Sequence, residues 1–194
     1  MTTGAVCRGS GGPAVRMRHV QGPTIRDAHE GDASACAAVY GHYVRATAAT
    51  FETDPPSVAE VGRRIDACQG SHAWLVSESE GVVTGFAYGT RFAERPAYRW
   101  SCEVSVYLDP ARLGTGAGSA LYDALLTRLC ERGFHVAFAK ISQPNDASNA
   151  LHAKFGFERV GLLRRVGFKL GEWHDVAIVQ RDLVAVGVTP AETR

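Results

Sequence analysis

The segment Leu113-Gly114-Thr115-Gly116-Ala117-Gly118-Ser119 constrains this chain more than any other stretch. It follows a clean alternation, with Trp100, Cys102, Val104, Val106 and Leu108 on one side and Ser101, Glu103, Ser105 and Tyr107 on the other, which is the period of a strand. It precedes Leu121, Leu125 and Leu129 at helical spacing, closed by Gly133. Three alternate glycines between a strand and a helix strip side chains from the backbone, and the helix behind them aims its free N–H groups at whatever sits there. A phosphate or pyrophosphate is the natural occupant. Two familiar nucleotide patterns do not fit. A P-loop needs a Lys between its last Gly and the following Ser or Thr, whereas Ser119 follows Gly118 directly. The dinucleotide fingerprint needs G-x-G-x-x-G after the first strand, and here glycines 114, 116 and 118 come late in the chain.

The rest of the chain switches repeatedly between periods near 3.6 and 2, the mark of a mixed α/β domain. A short strand is expected at Thr24–Asp27, then a helix capped by Asp32 with Ala35, Cys36, Val39, Tyr40 and Tyr43 on one face. Ser57 with Glu60 makes a capping-box pattern ahead of Val58, Val61, Ile65 and Cys68. Strands over 72–78 and 82–91 around Ser79, Glu80 and Gly81 form a hairpin. A buried strand over 134–141, a helix over 145–155 ended by Gly156, and two strands within 157–183 complete the expected core.

Composition decides which partners to exclude. With 21 Lys and Arg against 20 Asp and Glu, the net charge of +1 supplies no field for nucleic acid or an anionic membrane. No run reaches the ~18 apolar residues of a membrane span, and the first twenty residues carry no apolar core of a signal peptide. A cytoplasmic protein is expected, with a flexible leader over 1–23, one domain over 24–183 and a tail over 184–194. The five cysteines, Cys7, Cys36, Cys68, Cys102 and Cys130, form no C-x-x-C pair, so neither a disulfide framework nor a metal site is expected.

The Gly-rich junction resembles the acetyl-CoA loop of the GNAT family of N-acetyltransferases, Q/R-x-x-G-x-G/A, with Gly116 and Gly118 as its two glycines and Leu113 where the family has Gln or Arg. A second element also matches: Asn145, Ser148, Leu151, His152, Lys154, Gly156 and Phe157 follow N-x-x-S-x-x-L-Y-x-K-x-G-F, with His152 in place of the Tyr. Within the family the chain is most similar to the phosphinothricin and methionine sulfone or sulfoximine N-acetyltransferases. That similarity rests on Thr50-Phe51-Glu52, on the strand from Glu103 to Tyr107, and on Gly167-Phe168-Lys169 with Gly171 and Trp173-His174-Asp175-Val176.

The resemblance implies a mixed, mostly antiparallel sheet flanked by helices and splayed between central strands to admit acetyl-CoA. It implies that Gly114, Thr115, Gly116, Ala117, Gly118 and Ser119 hold the pyrophosphate, joined by Asn145. Backbone groups of Val106, Tyr107 and Leu108 would hold the pantetheine arm and polarise the thioester carbonyl. Glu103 is the expected general base, because an ammonium ion must lose a proton before its nitrogen can attack. His152 is the candidate acid or proton relay. Arg91, Arg95 and Arg99 lie among Phe92, Tyr98 and Trp100; Arg95 is expected to grip an anionic acceptor, with Tyr98 and Phe51 as walls. A small-molecule amine, a homodimer and no metal complete the expectation. Acetylation of a polyamine, aminoglycoside or protein amine, and acetyl-CoA binding without catalysis, are the alternatives that the residues leave open. A Val at Gly116 or Gly118 is expected to fill the pyrophosphate's space.

Overall fold

The computed structural model describes residues 22–191; the expected leader apart from its last two residues, Cys7, and residues 192–194 of the tail lie outside the described residues. The elements are β1 (Thr24–Asp27), α1 (Ala33–Ala46), α2 (Val58–Gln69), β2 (Ala73–Ser79), β3 (Val82–Arg91), β4 (Ser101–Leu108), α3 (Ala117–Glu131), β5 (Val136–Gln143), α4 (Asp146–Lys154), β6 (Glu158–Lys169) and β7 (Glu172–Asp182). The strands form one sheet in the order β1-β2-β3-β4-β5-β7-β6. Every neighbouring pair is antiparallel except β4 with β5. Among the described residues, no helix is long and apolar enough to cross a membrane.

Local sequence explains most of these elements. Ser57 Oγ accepts from the Glu60 N–H at 3.1 Å and starts α2. Glu60 does not reach back to close the box, because its carboxylate accepts from Arg64 Nε at 2.8 Å. Glu80 and Gly81, with φ of 53° and 77°, make the tight turn that joins β2 to β3. Asp32 departs from expectation: it makes no side-chain bond to the start of α1. Its carboxylate instead accepts from Arg26 at 2.7 and 2.8 Å and from the His29 N–H at 2.9 Å. A buried carboxylate is worth more to a guanidinium than to an amide, and the Arg26 hydrogen bonds hold the Asp32 carboxyl below its usual range.

Helices cover both faces. Leu121, Leu125 and Leu129 of α3 are fully buried against Cys102, Val104, Ala137 and Ala139. On the other face, Cys36 and Val44 of α1 and Ile65 of α2 pack with Trp74, Val76 and Phe86. The four described cysteines are free thiols. Burial pushes Cys36 and Cys102 up to about 12 and Cys68 up to about 11, so all three are inert fillers of apolar space.

The parallel β4–β5 contact is short. Ser101–Glu103 pair with Val136–Phe138 and the ladder then stops. Beyond it β4 continues along β3 until Leu108 meets Gly85, while β5 continues along β7 until Gln143 meets Asp175. Gly85 lets β4 lean on β3, since a Cβ there would lie 2.5 Å from Leu108 Cδ2 and 2.8 Å from the Tyr107 carbonyl oxygen. A wedge therefore opens in the sheet between residues 104–108 and 139–143, as expected.

Candidate active site

The wedge leads into a cavity of about 520 Å³ whose walls include Val104 to Leu108 from β4, Ala139 to Ser142 from β5, and Leu113, Gly114, Gly116, Gly118 and Ser119 from the loop and α3. Asn145, Ser148, Leu151 and His152 close the far side. Of the residues expected to hold the cofactor, Val106, Tyr107, Leu108, Gly114, Gly116, Gly118, Ser119 and Asn145 line this cavity. Thr115 and Ala117 instead shape its loop: Thr115 Oγ1 donates to the Arg112 carbonyl at 2.8 Å, and Ala117 is buried as the first residue of α3.

The loop has the properties of an anion cradle. Gly114 and Gly116 take φ of 76° and 85°, and a Cβ on either would meet nothing within 4 Å. The space beside them is open. Gly116 is the N-cap of α3 and offers no side-chain acceptor. Ala120 N–H reaches Gly116 O at 3.1 Å, so the N–H groups of Ala117, Gly118 and Ser119 are left for a ligand. Lys154 Nζ donates to Ser119 Oγ at 2.9 Å and adds a cation to the same spot. Gly118 differs from its neighbours. A Cβ there would lie 3.0 Å from Leu108 Cδ1, so packing against β4 rather than ligand space is what its lack of a side chain serves.

His152 is buried at 4% exposure. Its Nδ1–H donates to the Ser148 carbonyl at 2.8 Å, and its Nε2 is buried without a partner. Burial lowers its pKa, so the ring is neutral and Nε2 presents a bare acceptor. Tyr43 donates its phenol to the Leu108 carbonyl at 2.7 Å, tying α1 to the end of β4.

Glu103 and Ser105 face the other way along β4, into a second cavity of about 490 Å³ that also includes Arg64, His72, Tyr88, Gly89 and Arg91. Ser105 lines both cavities. The Glu103 carboxylate accepts from Lys140 Nζ on β5 at 2.7 Å. Arg64 is committed to Glu52 and Glu60, each at 2.8 Å, whereas among the described residues Arg91 has no ion-pair partner. Burial, with Arg91 and Arg132 adding repulsion, pushes His72 down to about 4.

These two histidines set a pH dependence. In the unfolded chain they titrate near ~6.5, while the folded protein keeps both neutral to lower pH. Below the unfolded value the unfolded chain binds protons that the folded one refuses, so stability is full above about pH 6.5 and falls as pH drops toward about 4. Thermal unfolding followed across that window should show a falling midpoint, and His72→Asn should flatten the fall. An identical slope in the variant would contradict this assignment.

Arg95, Tyr98 and Phe51 line neither cavity. Arg95 is the N-cap of a short turn over Pro96–Tyr98. Tyr98 meets Phe92 edge-on at 5.7 Å, and Phe92 stacks at 4.2 Å on Phe138, the residue paired with Glu103 in the ladder. Arg99 lies over the Trp100 ring at 3.7 Å. Phe51 packs on Gly167, where a Cβ would collide with its ring, and sits 6.1 Å from the His174 ring. Lys169 Nζ donates to the Thr50 carbonyl at 2.6 Å, so the β6–β7 hairpin and the segment carrying Phe51 are fastened together.

Comparison with known proteins gives a consistent picture. Residues 25–178 match the acetyltransferase (GNAT) domain model. The chain is 39% identical over 158 residues to the phosphinothricin N-acetyltransferase of Streptomyces viridochromogenes, covering 81% of this chain and 86% of that one. It is 35% identical over 165 residues to the L-methionine sulfoximine/L-methionine sulfone acetyltransferase of Salmonella typhimurium, covering 82% and 94%. The crystal structure of a phosphinothricin acetyltransferase from Sinorhizobium meliloti in complex with AcCoA superposes with a TM-score of 0.85 at 38% identity, over 89% of this chain and 95% of that one.

Proposed function

The chain belongs to the GNAT family of acetyltransferases, and we propose that its acceptor is the amine of a small anionic amino acid of the phosphinothricin, methionine sulfoximine or methionine sulfone type. It is an acetyl-CoA-dependent N-acetyltransferase. The observation that carries the reading is Ser105, which lines both cavities and so marks where a group in one can reach a group in the other. Glu103 stands two positions away on the same face of β4.

The first cavity fits the co-substrate, because a Cβ at Gly114 or Gly116 would protrude into the open space the loop keeps clear. The N–H groups of Ala117, Gly118 and Ser119, with Lys154 beside them, would hold its pyrophosphate. Acetyl-CoA, when bound, supplies the acetyl group as a thioester. The stretch 104–108 has no strand partner on its β5 side, so its backbone groups are available to bind the pantetheine arm and polarise the carbonyl. Glu103 takes the proton from the acceptor's ammonium and frees the nitrogen for attack. His152 offers Nε2 as an acceptor, so it would first take up a proton and then pass it on to the departing CoA sulfur, rather than start as the acid.

The second cavity argues for an anionic acceptor. Arg91 is among its lining residues, Arg64 there is already paired with Glu52 and Glu60, and Glu103, the only carboxylate in the lining, is balanced by Lys140. A polyamine or aminoglycoside would need the reverse balance. Arg91, among the second cavity's lining residues, would bind the acceptor's tetrahedral oxyanion, and Arg95 with Tyr98, outside that lining on the connection that Phe92 anchors beside Glu103, would close over it. Phe51, packed on Gly167 outside both cavities, takes no part in this reading. A thiol-release assay over a panel of amines tests the reading. Methionine sulfone, methionine sulfoximine or phosphinothricin should give the highest kcat/KM, and spermidine or an aminoglycoside as the best acceptor would overturn it.

Buried reduced thiols suit the reducing cytoplasm. A homodimer is supported by the sheet edge at β6, where Leu162, Leu163, Val166, Phe168, Leu170 and Trp173 are all exposed, Trp173 at 61%. Such a patch beside an open edge strand is characteristic of an interface. Sedimentation should give twice the chain mass, and Trp173→Glu should shift it to the single mass. A monomeric wild-type protein would refute this assembly.

A further inference from the structure

Lys140 is the cation closest to the proposed base, and neither Gly-rich loop nor helix motif points to it. It lies two residues beyond Phe138, the last β5 residue in the ladder with β4, and so projects from the same face as Phe138 and its partner Glu103. From there its Nζ crosses the start of the wedge to the Glu103 carboxylate at 2.7 Å. Lys140 lines the first cavity and Glu103 the second, so the ion pair stands at their boundary. Its members are partly exposed, 51% for the lysine side chain and 24% for the glutamate. A pair this wet contributes little to stability and can exchange partners.

We propose that Lys140 is a specificity-determining residue that selects acceptors carrying a carboxylate beside the amine. The inference rests on the acetyl-transfer reading above. Before the acceptor arrives, Glu103 and Lys140 neutralise each other. An ammonium ion with no other charge meets a neutral pair and must separate it without replacing what Lys140 loses. An α-amino acid brings both charges on one carbon. Its ammonium takes Lys140's place on Glu103, its carboxylate takes Glu103's place on Lys140, and the four groups alternate in sign. Arg91, which lines the second cavity and pairs with Cys102 next to Glu103 in the β3–β4 ladder, remains for an oxyanion on the side chain. The bound amine is thereby fixed at Glu103 while Lys140 is held off it, and the arrangement charges a penalty to plain amines.

Two acceptors separate the effect from a general loss: methionine sulfone and its analogue lacking the carboxylate, 3-(methylsulfonyl)propylamine. For Lys140→Met, kcat/KM for the amino acid should fall about tenfold, through KM, as expected for one charge-assisted hydrogen bond. For the amine it should hold or rise. Lys140→Arg should restore most of the preference. An unchanged preference in Lys140→Met, whether both acceptors lose activity equally or neither does, overturns the proposal while leaving the acetyl-transfer reading intact. A wild-type enzyme that acetylates neither compound, nor methionine sulfoximine nor phosphinothricin, overturns both together.

Discussion

Glu103→Gln is expected to lower kcat by roughly 10²–10³ near neutral pH, the range for loss of a general base, with acetyl-CoA affinity nearly unchanged. The amide keeps the size and position of the carboxylate but cannot take a proton from the acceptor's ammonium. The substitution also removes the negative charge that Lys140 Nζ meets at 2.7 Å, so the acceptor's KM should rise as well. The cofactor should be insensitive, because Glu103 lines the second cavity and not the first. Steady-state rates with calorimetric titration of acetyl-CoA separate these effects. Turnover equal to that of the wild type would remove Glu103 from the base role.

Gly116→Val should abolish measurable acetyl-CoA binding in a folded protein. Gly116 holds φ of 85° at the N-cap of α3, a conformation that costs an L-residue about 1–2 kcal/mol and a β-branched one more. Relieving that strain would turn the N–H groups of Ala117 and Gly118 away from the loop. Loss of two charge-assisted hydrogen bonds, at about 1.5 kcal/mol each, is about 3 kcal/mol or roughly 10²-fold in affinity, and the Val side chain would occupy the open space beside the glycine. Gly118→Ala is the informative contrast. Its Cβ meets the movable end of Leu108 rather than ligand space, so a milder effect is expected than the sequence alone implies for this position. Equal affinities in wild type and Gly116→Val would place the cofactor elsewhere.

What the sequence made legible was whatever local chemistry determines. The alternation of β4, the leucines of α3, the Ser57 cap and the Glu80–Gly81 turn each require only neighbours within a few residues. The Gly-rich junction was legible for the same reason, since left-handed φ at Gly114 and Gly116 is a property of the glycines themselves. Asp32 looked like a cap because its competitor, Arg26, acts through a side chain six positions away on β1. The second cavity was not legible, because Arg64 on α2, His72 before β2 and Arg91 on β3 come together only when the sheet is assembled. Lys140 was missed on similar grounds: its partner lies 37 positions away, across a parallel ladder that pairs only three residues of each strand. Tyr43, whose phenol fixes the end of β4, reads in sequence as one more apolar position of α1.

Transfer of the acetyl group itself tests the account most directly. Acetyl-CoA labelled in its acetyl carbon, mixed with enzyme and methionine sulfone, should release CoA thiol and yield N-acetylmethionine sulfone in equal amounts, with all the label in the product and the rate depending on both substrates through intersecting initial-rate lines. Tight binding of acetyl-CoA with no labelled amide from methionine sulfone, methionine sulfoximine or phosphinothricin would contradict the account.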